Sequence, residues 1–380
     1  MLGVWVDAFG EGFRTPQEVD DLVRWASEAG LDTLVVQVGR RGDAFANHLP
    51  LPRADGDVAP WPFDPLSAVC ERAGEVGIGV HAWLGVTPVA QGRDPASRFE
   101  PWLSRRHDGQ QRDGHGISHL DPGHPEARKF VATCAATIAE RYPVAGVCLD
   151  RVRYPESERQ GAAEWGYNPA ALSAYGAARP DPADEAWQSW RRAQVTALVD
   201  QTMAAVRAVR GDVEVSTTAT CFGGMAGGWT TSRPWIECGQ DWRGWLRDRR
   251  VDRVLLMNYR GDRDDADLAP ASTSVDLTRE GAVAQVVGAD RLRHRFDEWA
   301  ALAVAAGGRR VIMGTGLYLA DTDHSVELAG HALGLDVDGD RAGGWCGFSY
   351  RTPSRAVLVG ERPAADERDR LAVGLRRVWA

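Results

Sequence analysis

Val144-Ala-Gly-Val-Cys-Leu-Asp150 is the stretch whose reading decides the fold. Six apolar or small residues run without alternation, and the run ends on a carboxylate. A strand with one wet face alternates polar and apolar residues, so a short uniform run reads as a parallel strand buried on both faces. Seven more such runs follow the same rule: Gly3–Asp7, Thr33–Gly39, Ile78–Val86, Val213–Thr220, Val251–Tyr259, Val311–Tyr318 and Gly344–Tyr350.

Helical patterns lie between the runs. Thr15-Pro16-Gln17-Glu18 opens the first, with Thr15 as cap, Pro16 in the first turn and Glu18 completing a capping box; Gly30 ends it. Asp64-Pro65 opens the second, which ends near Gly77. A third covers Pro125–Tyr142 with Pro143 as its stop, and a long one covers Glu185–Val209. Others are expected at Arg291–Ala306, His324–Leu333 and Ala364–Trp379. Strand and helix alternate to the end, so the expected fold is α/β, a single (β/α)8 TIM barrel forming one domain over residues 1–380. An open doubly wound sheet is the alternative, but no GxGxxG turn follows the first strand.

Composition narrows the function. Forty-four Lys+Arg face 53 Asp+Glu, a formal net charge of −9. That balance argues against broad binding to nucleic-acid phosphates. Lys129 is the single lysine, which leaves a Schiff base or a Ser-Lys dyad almost nothing to work with. No apolar run is long enough to span a bilayer, and the Met-Leu-Gly-Val-Trp start reads as a strand rather than an export leader. The chain is therefore expected to be cytoplasmic or an exported protein with its leader removed. The six cysteines include no CxxC pair, and Cys70, Cys134 and Cys148 fall in apolar patterns as core residues. Serine-hydrolase elbows, P-loops and HExxH motifs are all absent. Nothing in the pattern calls for a cofactor or an obligate protein partner.

The longest connections, Thr87–Gly123, Arg151–Ala183 and Arg260–Asp290, all leave the C-terminal ends of strands, where barrel enzymes place their sites. Gly223–Gly228 reads as a flexible loop after the fifth strand. Polar groups gather at the same ends: Asp7; Gln37, Arg40, Arg41 and Asp43; His81 and Trp83; Asp150, Arg151, Arg153 and Tyr154; Asn258, Tyr259 and Asp262; Tyr318 and Arg351. Asp150 is the first candidate for covalent or acid–base work, against the plainer reading of an ion pair with Arg153. Asp43 could cap a turn, and His81 could be a satisfied core histidine. The 106–124 loop carries His107, His115, His119 and His124 among Asp108, Asp113 and Asp121, yet the spacing matches no zinc pattern. A substrate-facing loop is the simpler reading, and no metal is expected. Fifteen tryptophans need an explanation; Trp61, Trp83, Trp102, Trp165, Trp229, Trp235 and Trp242 fall in or beside long loops. Flat rings there suit sugar faces, and covering the barrel rim is the plainer alternative.

Several stretches together resemble the family-ten glycosyl-hydrolase-like barrels: Gly3-Val-Trp-Val-Asp7, Gln37-Val-Gly-Arg-Arg-Gly-Asp-Ala44, Val80-His-Ala-Trp-Leu84, Leu149-Asp-Arg-Val-Arg-Tyr-Pro155, Trp165-Gly-Tyr-Asn-Pro169, Gln240-Asp-Trp-Arg-Gly-Trp245 and Met257-Asn-Tyr259. The resemblance implies a (β/α)8 glycosidase-like site and an association with bacterial cell-wall glycans. It marks Asp150, Asn258 and Tyr259 as site residues, lined by Gln37, Asp43, His81, Trp83 and Tyr318. The expected chemistry is cleavage of a glycosidic bond between two carboxyl groups. Asp150 is the nucleophile or charge stabiliser, and Asp262, or else Asp43 or Asp7, is the acid/base. Arg40, Arg153, Tyr154 and Trp165 join the carbohydrate-binding set. A glycan-binding barrel without catalysis is the alternative.

Overall fold

Each uniform run has two faces to bury, and closing the sheet on itself buries both. The structure, a computed structural model, describes residues 1–222, 227–260 and 289–380, the side chains of 289–292 excepted. Its eight parallel strands are β1 (Leu2–Val6), β2 (Thr33–Arg40), β3 (Gly79–Gly85), β4 (Gly146–Asp150), β5 (Glu214–Thr220), β6 (Arg253–Met257), β7 (Val311–Gly316) and β8 (Gly344–Phe348). Neighbours in sequence are neighbours in the sheet, and β1 pairs with both β2 and β8, which closes the barrel.

The alternation that the apolar runs conceal is present in three dimensions. Trp5, Val35, Trp83, Cys148, Leu255, Ile312 and Cys346 pack together in the lumen. Their chain neighbours Val4, Val6, Leu34, Val36, Val147, Leu149, Val254 and Leu256 join the larger core between strands and helices. Both sets are apolar, so period two cannot be read from residue type. The lumen is crowded by indoles. A Cβ on Gly314 would lie 2.9 Å from Trp5 Cη2 and 2.5 Å from the Leu256 carbonyl oxygen.

The outer helices are α1 (Pro16–Glu28), α2 (Pro65–Glu75), α3 (Pro125–Arg141), α4 (Glu185–Val209), α5 (Trp242–Arg247), α6 (Ala289–Gly307), α7 (Thr322–Gly334) and α8 (Ala364–Val378). Thr15 caps α1 by accepting from the Glu18 N–H at 3.2 Å. Glu18 does not close the expected box. Its carboxylate accepts instead from the Gly12 and Arg14 amides at 3.0 and 2.8 Å, tying the loop after β1 to the helix. The sequence reading missed α5 and the short helix Pro169–Tyr175. Six or seven residues span fewer than two turns, too few to show a helical period.

The histidine-rich connection is an ordered element with its own antiparallel pair, Pro88–Gln91 against Ile117–His119. His119 lies 2.9 Å from Asp113 through Nε2, and His124 caps α3 by accepting from Glu126 N–H. These two imidazoles serve the loop itself. Among the described residues no group of three or more His, Cys, Asp or Glu is placed to hold a metal. All six cysteines are buried and unpaired. No helix among the described residues is long and apolar enough to cross a membrane.

His81 sits near the start of β3, where it pairs with Gly146 at the start of β4, so it lies at the opposite end of the barrel from Asp150. Its Nδ1 is 3.9 Å from Glu214, which Arg253 holds at 2.7 Å. Burial, with Arg253 adding to it, pushes the imidazole down to about 4. The unfolded chain takes up this proton near pH 6.5, whereas the folded chain refuses it until near pH 4, so stability falls as pH drops through that window. Urea titrations should therefore show wild type losing about 2–3 kcal/mol more than His81→Gln between pH 7 and pH 4.5. Equal losses would remove this account of His81.

Candidate active site

Strand ends from β1 to β6 and from β8 surround one pocket, with about 770 Å³ of free space including its open mouth. Trp5, Gln37, Arg40, Trp83, Asp150, Thr218, Met257, Tyr259 and Phe348 line it, with Phe9, Arg41, Arg151 and Arg153 from the loops.

Asp150 ends β4, and its carbonyl accepts from Val86 N–H at 2.9 Å, which keeps the strand end in step with β3. Its side chain is held by neutral donors. Oδ1 accepts from the Thr218 hydroxyl at 2.6 Å and from the Arg151 amide at 2.8 Å. Arg151 has φ +53°, in the left-handed region. That conformation costs about 1 kcal/mol for a side chain with a Cβ. Thr87 holds the turn by donating to the Arg151 carbonyl at 3.0 Å. Among the described residues no ion pair forms on Asp150. Its expected partner, Arg153, binds Glu156 at 2.7 Å instead. Burial pushes Glu156 up, but Arg153 and then Arg151 outweigh it and hold the carboxyl at about 2.

Arginines set the sign of the pocket. Arg41 is pushed down to about 10, first by burial and then by the charges of Arg151 and Arg40. Arg40 is held by Asp57 at 2.6 Å. The opposite wall is aromatic. Tyr259 stacks on Phe348 with centroids 5.5 Å apart and meets Trp5 edge-on at 6.2 Å. Burial raises the Tyr259 phenol well above its ordinary value, with Tyr318 and Asp150 among the charges that add to it, so it stays a proton donor. Trp83 Nε1 is buried without a partner among the described residues, and Gln37 Oε1 accepts from Ala8 N–H at 3.0 Å.

Other expected residues are placed elsewhere. Asp7 is fully buried, and its oxygens accept from Ser349 Oγ at 2.7 Å, Arg351 Nε at 2.9 Å and Phe9 N–H at 3.0 Å. A carboxylate so saturated is a structural ion pair, not a free acid. Asp43 pairs with Arg93 at 2.5 Å and does not line the pocket. Tyr154 is buried beneath Arg191 and donates to Asp121 at 3.2 Å. Asn258 is buried and donates to the Phe296 carbonyl at 2.9 Å. Trp165 is buried in the loop, and Tyr318 packs edge-on against Phe348 at 6.0 Å, one ring behind the wall. Asp262 lies outside the described residues, as does most of the 223–228 loop. Trp5, Thr218 and Phe348 were not anticipated as lining residues. Only the period-two facing of β1, β5 and β8 could have found them.

A parallel barrel with its pocket at the carboxyl ends of the strands is the architecture of many glycosidases. The fold is similar to the PgaB (BpsB) glycoside hydrolase domain from Bordetella bronchiseptica, with a TM-score of 0.62, 15% identity and 97% of each chain covered. It is also similar to alpha-L-fucosidase isoenzyme 2 from Paenibacillus thiaminolyticus, with a TM-score of 0.62 and 14% identity, over 99% of this chain and 48% of that one. Residues 53–274 match the family described as Glycosyl hydrolase-like 10, and the chain belongs to that family. Among curated relatives, Glycosyl hydrolase DigH of Escherichia coli (strain K12) is 27% identical over 241 residues, covering 60% of this chain and 51% of the relative. The chain thus spans about half the length of the curated relatives it matches.

The Asp7–Arg351 pair yields a stability test. Removing the guanidinium strands a buried carboxylate, so Arg351→Met should cost about 3 kcal/mol in chemical denaturation. A variant as stable as wild type would show that Asp7 does not depend on this pair.

Proposed function

We propose that the chain is a glycoside hydrolase acting on a polysaccharide, with peptidoglycan glycan strands as one candidate substrate and Asp150 as nucleophile or charge stabiliser. The observation that supports this reading is a carboxylate with no ion-pair partner among the described residues, held by hydrogen bonds at the mouth of an aromatic-walled pocket. An oxocarbenium-like transition state carries positive charge beside the ring oxygen, and such a carboxylate can stabilise it or attack the anomeric carbon. Tyr259, Gln37 and Arg40 line the pocket, and in this reading they hydrogen-bond sugar hydroxyls or acidic substituents. Arg153 lines the same pocket, although Glu156 already occupies one of its nitrogens.

The reaction needs a second carboxyl group to protonate the leaving oxygen. Asp7 is saturated and Asp43 is engaged by Arg93, so in this reading the acid/base is Asp262. A second reading has support as well. Asp150 is the one carboxylate lining the pocket among the described residues, as in a glycan-binding barrel without catalysis.

A screen of bacterial wall glycans and other polysaccharides, with product masses as readout, separates the two. Wild type should release shortened glycans, and Asp150→Asn should lower turnover by at least roughly 10³-fold while still binding the same glycan. Binding by wild type with no shortened product from any glycan would establish the binding-module reading instead.

A further inference from the structure

A second groove opens on the same face of the barrel, built from the connections after β3 and β4. Arg105, Arg106, His107, Tyr167, Leu172 and Arg179 border about 1050 Å³ of open space, and none of them lines the Asp150 pocket. Its basic edge is a backbone ladder. The Arg105 carbonyl accepts from the Gly166 and Tyr167 amides at 3.1 and 3.0 Å, and His107 N–H donates to Glu164 at 2.9 Å. Tyr167 is anchored by donating its hydroxyl to the Pro180 carbonyl at 3.0 Å, and its ring meets His107 at 6.2 Å.

The cations here fall into two kinds. Arg106 is neutralised by Asp108 and by Glu158. Arg105 and Arg179 form no side-chain hydrogen bond or ion pair with any described residue. Arg105 Nε is buried without a hydrogen-bond partner among the described residues, and Arg105 lines the groove. His107 Nδ1 is likewise buried and has no partner among the described residues. One loop serves both sites: Glu156 neutralises Arg153 of the pocket at 2.7 Å, and Glu158 neutralises Arg106 of the groove at 2.6 Å. Neither Arg105 nor Arg179 has a carboxylate partner among the described residues, although the charge of Asp181 acts on Tyr167, so two guanidinium groups stand beside a concave surface on a chain of net charge −9. Such a local reversal of sign concentrates anions, and guanidinium forks match carboxylate and phosphate oxygens.

We propose that this groove is a second binding site, distinct from the Asp150 pocket, which takes an anionic group, carboxylate or phosphate, carried on a saccharide chain. Arg105 and Arg179 contact the anion, and the Tyr167 ring with Leu172 borders the carbohydrate. That the carrier is a saccharide rests on the hydrolase reading; that the groove binds an anion does not.

Calorimetric titration at low salt tests it with three defined probes: a galacturonic acid hexamer, a 6-phosphorylated maltohexaose and a neutral chitin hexamer. An anionic probe should bind wild type, and Arg105→Gln/Arg179→Gln should weaken it about 10-fold or more. Added salt should weaken it too, while binding of the chitin hexamer should not respond to the double variant. Whichever of the two acidic probes binds more tightly names the source of the anion. Arg179 is exposed, so Arg179→Gln alone keeps the fold and should still cost roughly 3-fold. The proposal is overturned if neither acidic probe binds, if the arginine variants leave binding unchanged, or if Arg151→Gln in the pocket abolishes binding while the double variant does not. Cleavage is not read, so a failed hydrolase assignment leaves this result interpretable.

Discussion

A carboxylate withdrawn from water must be given donors, and which donors it receives decides what it can do. Asp150 receives a hydroxyl and a backbone amide, both on one oxygen. These stabilise the charge without cancelling it. Asp7, by contrast, receives a guanidinium as well as its neutral donors, and its charge is consumed within the fold. The cost at Asp150 is a left-handed Arg151, about 1 kcal/mol, which charge-assisted hydrogen bonds of about 1.5–3 kcal/mol each outweigh.

That arrangement depends on Gln240 in the loop before α5. Its Oε1 accepts from the Thr220 amide and hydroxyl at 2.9 and 2.8 Å. Its Nε2 donates to the Thr218 and Val152 carbonyls at 3.1 and 3.3 Å. One buried amide thereby ties the end of β5, which carries the Thr218 hydroxyl, to the turn that follows Asp150. The run Gln240-Asp-Trp-Arg-Gly-Trp245 carries family resemblance, and this clamp gives its first residue a physical role.

The architecture was legible because burying a strand on both faces leaves a uniform apolar signature, and all eight runs became barrel strands with ends shifted by a few residues. Long helices were legible for the equivalent reason: α4 covers the same residues that its pattern marks. The tryptophans were harder to read. Trp61 is 71% exposed, whereas Trp229 and Trp242 pack on Trp299 behind the barrel. The indoles of the pocket are Trp5 and Trp83, which come from strands. Falling outside an apolar helix face shows only that a tryptophan is not helical core; it does not show which loop folds back to cover it.

By itself the sequence determined the alternation of strands and helices, the closed parallel barrel and the place of Asp150 at a strand's carboxyl end, because hydrophobic period and chain direction are local properties. Tertiary structure alone decided which charges remain unspent. Arg153 could have met Asp150 three residues away but turns to Glu156, and Asp7 finds its partner at Arg351, on the far side of the chain in sequence. Ion pairing depends on distances of a few ångströms across the closed barrel, and no spacing along the chain encodes those distances.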